Sequence, residues 1–128
     1  MNIPSDRLYL KSHEWVKFEE GDVCLVGISD FAQAALGDIV FVNLPEAGDA
    51  VKTGERLTDV ESVKAVADVF SPVGGTIEEV NAELEDAPEL LNTAPYEAWI
   101  AKISGVTDRA ELLDAAAYQA VCEQEGEA

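Results

Sequence analysis

Two runs of alternating residues, Arg56-Leu57-Thr58-Asp59-Val60 and Val66-Ala67-Asp68-Val69-Phe70, lie on either side of Glu61-Ser62-Val63-Lys64-Ala65, and nothing between them has the caps or apolar stripe of a helix. Alternation with period two belongs to strands with one buried face, so this stretch predicts a hairpin with Lys64 at its tip. The chain has only 8 Lys and Arg against 26 Asp and Glu, and a lysine inside an apolar, strand-forming stretch is not explained by solubility. At a hairpin tip its amine stands clear of the fold, where another enzyme can acylate it. That predicts a handle for a covalent cofactor, whereas a lone turn lysine without further context reads as a solvated surface residue.

The rest of the chain is organised as strands punctuated by glycine turns. Glu20-Gly21-Asp22 separates Glu14-Trp15-Val16-Lys17-Phe18 from Val23-Cys24-Leu25-Val26-Gly27-Ile28, a hairpin in outline. Ser29 or Asp30 caps a short helix, Asp30 and Gln33 having capping-box spacing, and Gly37 stops it. A strand follows over residues 38–44, with Pro45 at its exit. Ala47-Gly48-Asp49 and Gly54 mark corners. Past the lysine, Ser71-Pro72-Val73-Gly74-Gly75 reads as a turn leading into a strand at Thr76-Ile77-Glu78-Glu79-Val80-Asn81. The two arms about Lys64 have similar makeup, which suits a quasi-symmetric sandwich with the lysine near a pseudo-axis. Near the C-terminus, Asp108 to Glu111 has capping-box spacing, and Leu112, Leu113, Ala116 and Tyr118 give a helical apolar face. The tail from Glu123 to Ala128 is expected to fray. With 128 residues and 48% hydrophobic content the expectation is one domain, 1–128, with a core over about 7–103 and a helical extension over about 107–123.

A formal charge of −18 repels phosphate backbones and anionic membrane surfaces, so neither nucleic acid nor a membrane is expected as a partner. The same field can steer the chain toward electropositive docking surfaces, or serve solubility or a salty or hot habitat. Neither a signal peptide nor a membrane span is expected from the hydropathy pattern. That reads as a soluble protein, cytoplasmic in a bacterium or in the mitochondrial matrix if a transit peptide has been removed. Cys24 and Cys122 form no CxxC pair and, with His13 the one histidine, do not complete a zinc site. They read as buried small hydrophobes. His13 reads as an ordinary strand residue. No triad, phosphate loop or metal cluster emerges, which argues against a small hydrolase and for a protein that is acted upon.

The segment Glu61-Ser62-Val63-Lys64-Ala65, with Gly75 eleven positions beyond the lysine, resembles the lipoylation site of the glycine cleavage system H-protein family. Similar blocks run in order along nearly the whole chain: Lys11-Ser12-His13-Glu14-Trp15-Val16, residues 26–33, residues 36–45, residues 71–75 and Pro88-Glu89-Leu90-Leu91-Asn92. The resemblance implies a mainly β, lipoyl/biotinyl-carrier-like flattened β-sandwich, the hybrid barrel-sandwich, with short helices and a C-terminal helical segment. It implies lipoic acid in amide linkage to Lys64 and a carrier rather than an enzyme.

In that family the arm accepts an aminomethyl group from a pyridoxal-phosphate-dependent glycine decarboxylase and passes the one-carbon unit to tetrahydrofolate on an aminomethyltransferase. Dihydrolipoamide dehydrogenase then reoxidises it, and a lipoate ligase or a lipoyl/octanoyl transferase attaches it. Partners of these four kinds are therefore expected. An S-aminomethyl group hydrolyses to formaldehyde and ammonia if water reaches it, so shelter is required, with acceptors for a protonated amine. Strand alternation puts Ser12 and Glu14 on one face, and with Asp68 they match the positions that hold the loaded arm in this family; in isolation Ser12 and Glu14 read as ordinary exposed strand residues and Asp68 as part of an acidic surface.

Val63 and Ala65 beside the lysine argue against a biotinyl domain, whose lysine typically lies between methionines. Val63 also argues against the lipoyl domains of the 2-oxoacid dehydrogenases, which usually place aspartate there. An H-like protein that relays lipoate to other enzymes remains an alternative. Two segments depart from the family pattern: Tyr96-Glu97-Ala98-Trp99-Ile100 lacks a glycine before the tryptophan, and Leu57-Thr58-Asp59 is polar where a small or apolar pair is expected.

Overall fold

A computed structural model of the chain describes residues 1–126. Antiparallel strands dominate. The first hairpin forms as the alternation predicts, β2 (Glu14–Phe18) pairing with β3 (Cys24–Ile28), and the short β1 (Leu8–Tyr9) extends it on its outer side. Ser29 caps α1 (Asp30–Leu36), its hydroxyl accepting the Ala32 N–H at 3.2 Å, while Asp30 accepts from the Gln33 side chain. Gly37 ends that helix at φ 79°, a left-handed conformation that a side chain would strain, with its N–H donated to Gln33.

Three further strands make the smaller sheet, in the order β4 (Ile39–Asn43), β6 (Arg56–Ser62), β7 (Val66–Phe70). The larger sheet runs β1, β2, β3, β9 (Ala101–Arg109), β8 (Val73–Val80), β5 (Ala50–Val51). Two one-turn helices, α2 (Glu83–Asp86) and α3 (Leu90–Thr93), cross between β8 and β9. Val26, Ile28, Ile77, Ile100 and Ile103 from the larger sheet's side and Ile39, Val42, Leu57, Val60 and Val69 from the smaller pack into one buried cluster. This is the two-layer β architecture. Each such side chain contributes about 1.5–3 kcal/mol on burial, so the core draws on the scaffold alone.

Three details differ from the periodicity. First, Gly74 and Gly75 are not in a turn: β8 begins at Val73, and both glycines lie inside it. The reason is close approach, since a Cβ on Gly75 would sit 2.6 Å from the Ser104 carbonyl oxygen and 2.8 Å from Ile103. Second, Thr58 and Asp59 are both buried, against strict alternation, because β6 is the central strand and its pairing with β7 shifts register between Arg56 and Thr58. A similar shift opposite β4 leaves Val40 and Phe41 both exposed.

Third, the C-terminal helix starts later than its apparent capping box. Asp108 is still in β9, where Val73 pairs with Arg109, and its carboxylate accepts from Thr53. The helix is α4 (Ala115–Gly126), and Asp114 caps it by accepting the Ala117 N–H at 2.8 Å. Leu113 precedes it and bridges Tyr9 of β1 as an isolated antiparallel pair. Tyr118 and Cys122 are the buried residues of α4; Tyr118 stacks on Tyr9, and both join a second cluster with Trp15. Helix continues through Glu123 and Glu125, where fraying was expected; Glu127 and Ala128 lie outside the described residues.

Candidate functional site

The turn that carries Lys64 is built by Ser62. Its N–H is donated to the Ala65 carbonyl at 2.8 Å, and its hydroxyl accepts the N–H groups of Lys64 and Ala65 at 3.3 and 3.1 Å. Val63 N–H, donated to the Asp38 carbonyl at 3.0 Å, ties the tip to the start of β4. Lys64 is exposed, flanked by Val63 and Val66, which are 69% and 63% exposed. A Cβ on Gly37 would lie 3.9 Å from Lys64 Cε, so the lysine stem runs past the end of α1. Glu61 sits between Phe41 and Val66 across the smaller sheet, and Ala65 closes the turn. Gly75 is remote from the tip, in β8, where its role is the close packing against β9 described above.

A cavity of about 160 Å³ lies beside this hairpin, and Ser12, Glu14 and Asp68 all line it, with Ile28, Ala32, Leu36, Val60 and Val69 as apolar wall. Larger cavities elsewhere on the surface, such as that of about 580 Å³ lined by Met1, Phe31 and Cys122, contain neither of these carboxylates. Glu14 is the most buried of the polar three, at 2% exposure. Its Oε2 accepts the Phe70 N–H at 2.8 Å and its Oε1 accepts the Ser12 hydroxyl. Burial outweighs these bonds and pushes its carboxyl above the usual carboxylate range. Asp68 is half-exposed, and its Oδ1 accepts Arg56 Nε–H at 3.0 Å. Arg56 also reaches Asp59, and these hydrogen bonds, to Asp68 first and then Asp59, hold the guanidinium still more firmly protonated.

His13 is not a strand residue. β2 begins at Glu14, and His13 takes a left-handed φ of 81°, the one positive φ outside glycine among the described residues. Its ring stacks on Phe31 at 4.6 Å between centroids, with Nδ1 2.7 Å from the Tyr118 hydroxyl and Nε2 3.0 Å from Glu125. Ser12 and Glu14 therefore share the cleft through this turn and not, as alternation predicts, as one face of a strand. Cys24 and Cys122 are buried free thiols, the Cys24 thiol pushed up to about 12 by burial. Among the described residues no group of His, Cys, Asp and Glu is arranged to hold a metal. No described helix is long and apolar enough to cross a membrane.

Residues 7–125 match the family model described as glycine cleavage H-protein. The chain belongs to that family. It is 50% identical over 127 residues to the glycine cleavage system H protein of Lachnoclostridium phytofermentans, covering 99% of this chain and 100% of that one. To the H protein of Thermus thermophilus it is 53% identical over 128 residues, with 98% and 99% covered. Among solved structures, the crystal structure of a glycine cleavage system H protein from Mycobacterium marinum superposes with a TM-score of 0.88 at 41% identity, covering 97% of this chain and 99% of that one. The mainly β architecture expected from the resemblance is therefore the family's own.

Two features of the site have little signature in the sequence. The Arg56, Asp59 and Asp68 cluster depends on the β6–β7 register, and its one sequence signal is the polar Thr58-Asp59 pair in a strand otherwise apolar inside. The anchoring of the His13 turn by Tyr118 and Glu125 joins positions more than a hundred residues apart, and no local pattern announces it.

Proposed function

We propose that this chain is the lipoyl-bearing carrier of a glycine cleavage system, with lipoic acid joined to Lys64 Nζ and the end of the arm sheltered by Ser12, Glu14 and Asp68. The observation that carries the reading is the adjacency of an exposed lysine at a hairpin tip to a small, mostly apolar cavity edged by two carboxylates and a hydroxyl. The residues fit the group: the exposed Lys64 tip admits an acylating enzyme, and the apolar wall suits a hydrocarbon chain. When bound, lipoic acid supplies a dithiolane that is reduced, carries the aminomethyl group of glycine on sulfur and is reoxidised.

The chain's own part is to hold and to exclude. Ile28, Leu36, Val60 and Val69 keep water from the inner end of the cleft. Asp68, with Oδ2 engaged by no described protein donor, faces a cation arriving from the tip. Glu14, fixed by the Phe70 N–H and the Ser12 hydroxyl, presents a second acceptor deeper in. A tether keeps the cargo at high effective concentration for each enzyme it visits. Those enzymes are, in this reading, the glycine decarboxylase, the aminomethyltransferase and dihydrolipoamide dehydrogenase, with a lipoate ligase or lipoyl/octanoyl transferase loading Lys64. The relatives reported above are bacterial, and a bacterial cytoplasm is the setting that this reading takes for the cycle.

Intact mass after incubation with lipoate, ATP and a lipoate ligase tests the reading. One lipoyl group on the parent and none on Lys64→Arg is expected, with glycine decarboxylation supported by the first alone. Lipoylation of Lys64→Arg at another position overturns it.

A further inference from the structure

Asp59 and Asp68 lie directly opposite one another on β6 and β7, a like-charge cross-strand pair that is unfavourable unless something answers it. Arg56 does so, its Nε donating to Asp68 Oδ1 and its Nη2 to Asp59 Oδ2. The other oxygen of Asp59 accepts from the Asn43 amide. The Asp59 side chain is 13% exposed and saturated by fixed donors; the Asp68 side chain is 52% exposed and lines the cavity beside the lysine hairpin. Of the 8 Lys and Arg, Arg56 is the one the structure places against a carboxylate of that cavity, among the described residues.

A guanidinium on Asp68 alone would cancel the charge that a cationic cargo needs. Two carboxylates on one guanidinium leave the cluster with one unit of negative charge, and Asp59, being the buried partner, is the one that keeps Arg56 occupied. We propose that Asp59 is a positioning residue for the carrier's cargo: by sharing Arg56 with Asp68 it leaves Asp68 Oδ2 to hold one ammonium group at the mouth of the cleft. The polar and buried Thr58-Asp59 pair is on this view part of the site. The inference rests on the proposed docking of the arm beside Ser12, Glu14 and Asp68, and goes beyond it by assigning the charge balance to Asp59 and Arg56.

The test uses lipoylated full-length protein, reduced and singly alkylated on the arm with either 2-bromoethylamine or 2-bromoethanol. In both, a sulfur–carbon bond forms and bromide leaves, giving stable arms of the same length that end in an ammonium or a neutral hydroxyl; Cys24 and Cys122 are buried and spared. The readout is the difference in amide NMR shifts at Glu14, Asp68 and Phe70 between the cationic and neutral arms. A clear difference is expected in the parent, one several-fold smaller in Asp59→Asn, one at least parental in Arg56→Gln, and recovery in the Asp59→Asn/Arg56→Gln double variant. A merely structural role for Asp59 predicts no such rescue. Formaldehyde release from the glycine-loaded arm should run about tenfold faster in Asp59→Asn and return toward parental in the double variant. A parental shift difference in Asp59→Asn, or a reduced one in Arg56→Gln, overturns the proposal and leaves the docking reading standing. No difference in the parent overturns both. Should Asp59→Asn fail to fold, Arg56→Gln decides alone, because its side chain is half-exposed.

Discussion

The lysine tip and the cleft beside it are within reach of each other yet are built in opposite ways. The tip is largely local: Ser62, Lys64 and Ala65 close one turn on their own hydrogen bonds, Val63 reaches the Asp38 carbonyl, and the valines flanking the lysine are exposed. The cleft is non-local: Glu14 meets the Phe70 backbone 56 positions away, and its wall comes from β3, α1, β6 and β7. A site that another enzyme must reach can be made of a short exposed segment, whereas a site that must exclude water needs several packed elements. Substitutions should therefore separate loading from holding.

The largest expected effect falls on the tip. Lys64→Arg should abolish lipoylation while melting as the parent does, because the side chain is exposed and contributes nothing to the core; intact mass and a thermal scan check both. A shifted melt would break the contrast by tying the tip to the fold.

Next comes the cleft. Glu14→Gln and Asp68→Asn should take up lipoate normally yet release formaldehyde about tenfold faster from the loaded arm, measured without transferase or folate. Parental release in both would remove the cleft as the holding site and leave Lys64 untouched.

A third substitution tests the scaffold that supports both. Gly75→Ala brings a Cβ against the Ser104 carbonyl and Ile103, so it should lower stability by about 1–3 kcal/mol, read from denaturant midpoints, with lipoylation of the folded fraction unchanged. No loss would mean that β8 and β9 separate more easily than their packing implies.

A smaller effect concerns the acidic exterior. With a net charge of −18, the apparent KM of the carrier for its decarboxylase should rise about threefold between low and physiological salt. A flat response would confine the charge to solubility.

The smallest effect is the pH dependence of Glu14. Its carboxyl is raised in the folded state by burial, so the folded protein binds that proton more tightly than the unfolded chain. Stability from this group is then full at low pH and declines as pH rises from the ordinary carboxylate range through the raised folded value. Glu14→Gln lacks that decline, so its melting temperature relative to the parent should climb by a degree or two between about pH 4 and about pH 7. A relative melting temperature that falls over that range would show Glu14 to be stabilised as a charged group.

Sequence periodicity sufficed for the β2–β3 and β6–β7 hairpins and the Gly37 stop, and narrowed the helix cap to Ser29 or Asp30, of which the structure takes Ser29, since each depends on residues within a few positions of one another. It misplaced the glycines at 74 and 75 because a turn and a close strand approach both demand glycine, and only the neighbour, β9, tells them apart. It began the C-terminal helix too early at Asp108 because strand pairing with Gly74 overrode a local capping signal. The blocks that resemble the H-protein family singled out Ser12, Glu14 and Asp68; alternation grouped only Ser12 with Glu14, on a strand face that the His13 turn replaces.

What the sequence alone determined is the strand-rich makeup, the exposed lysine tip and the family, for these are written in local periodicity and in ordered runs of residue types. Tertiary structure decided the left-handed turn at His13, the burial of Glu14 and the grip of Arg56 on both Asp59 and Asp68. Each of those depends on which distant backbone lies alongside and on what solvent the packing removes. Strand register and burial belong to the assembled sheets, and no short stretch of chain carries them.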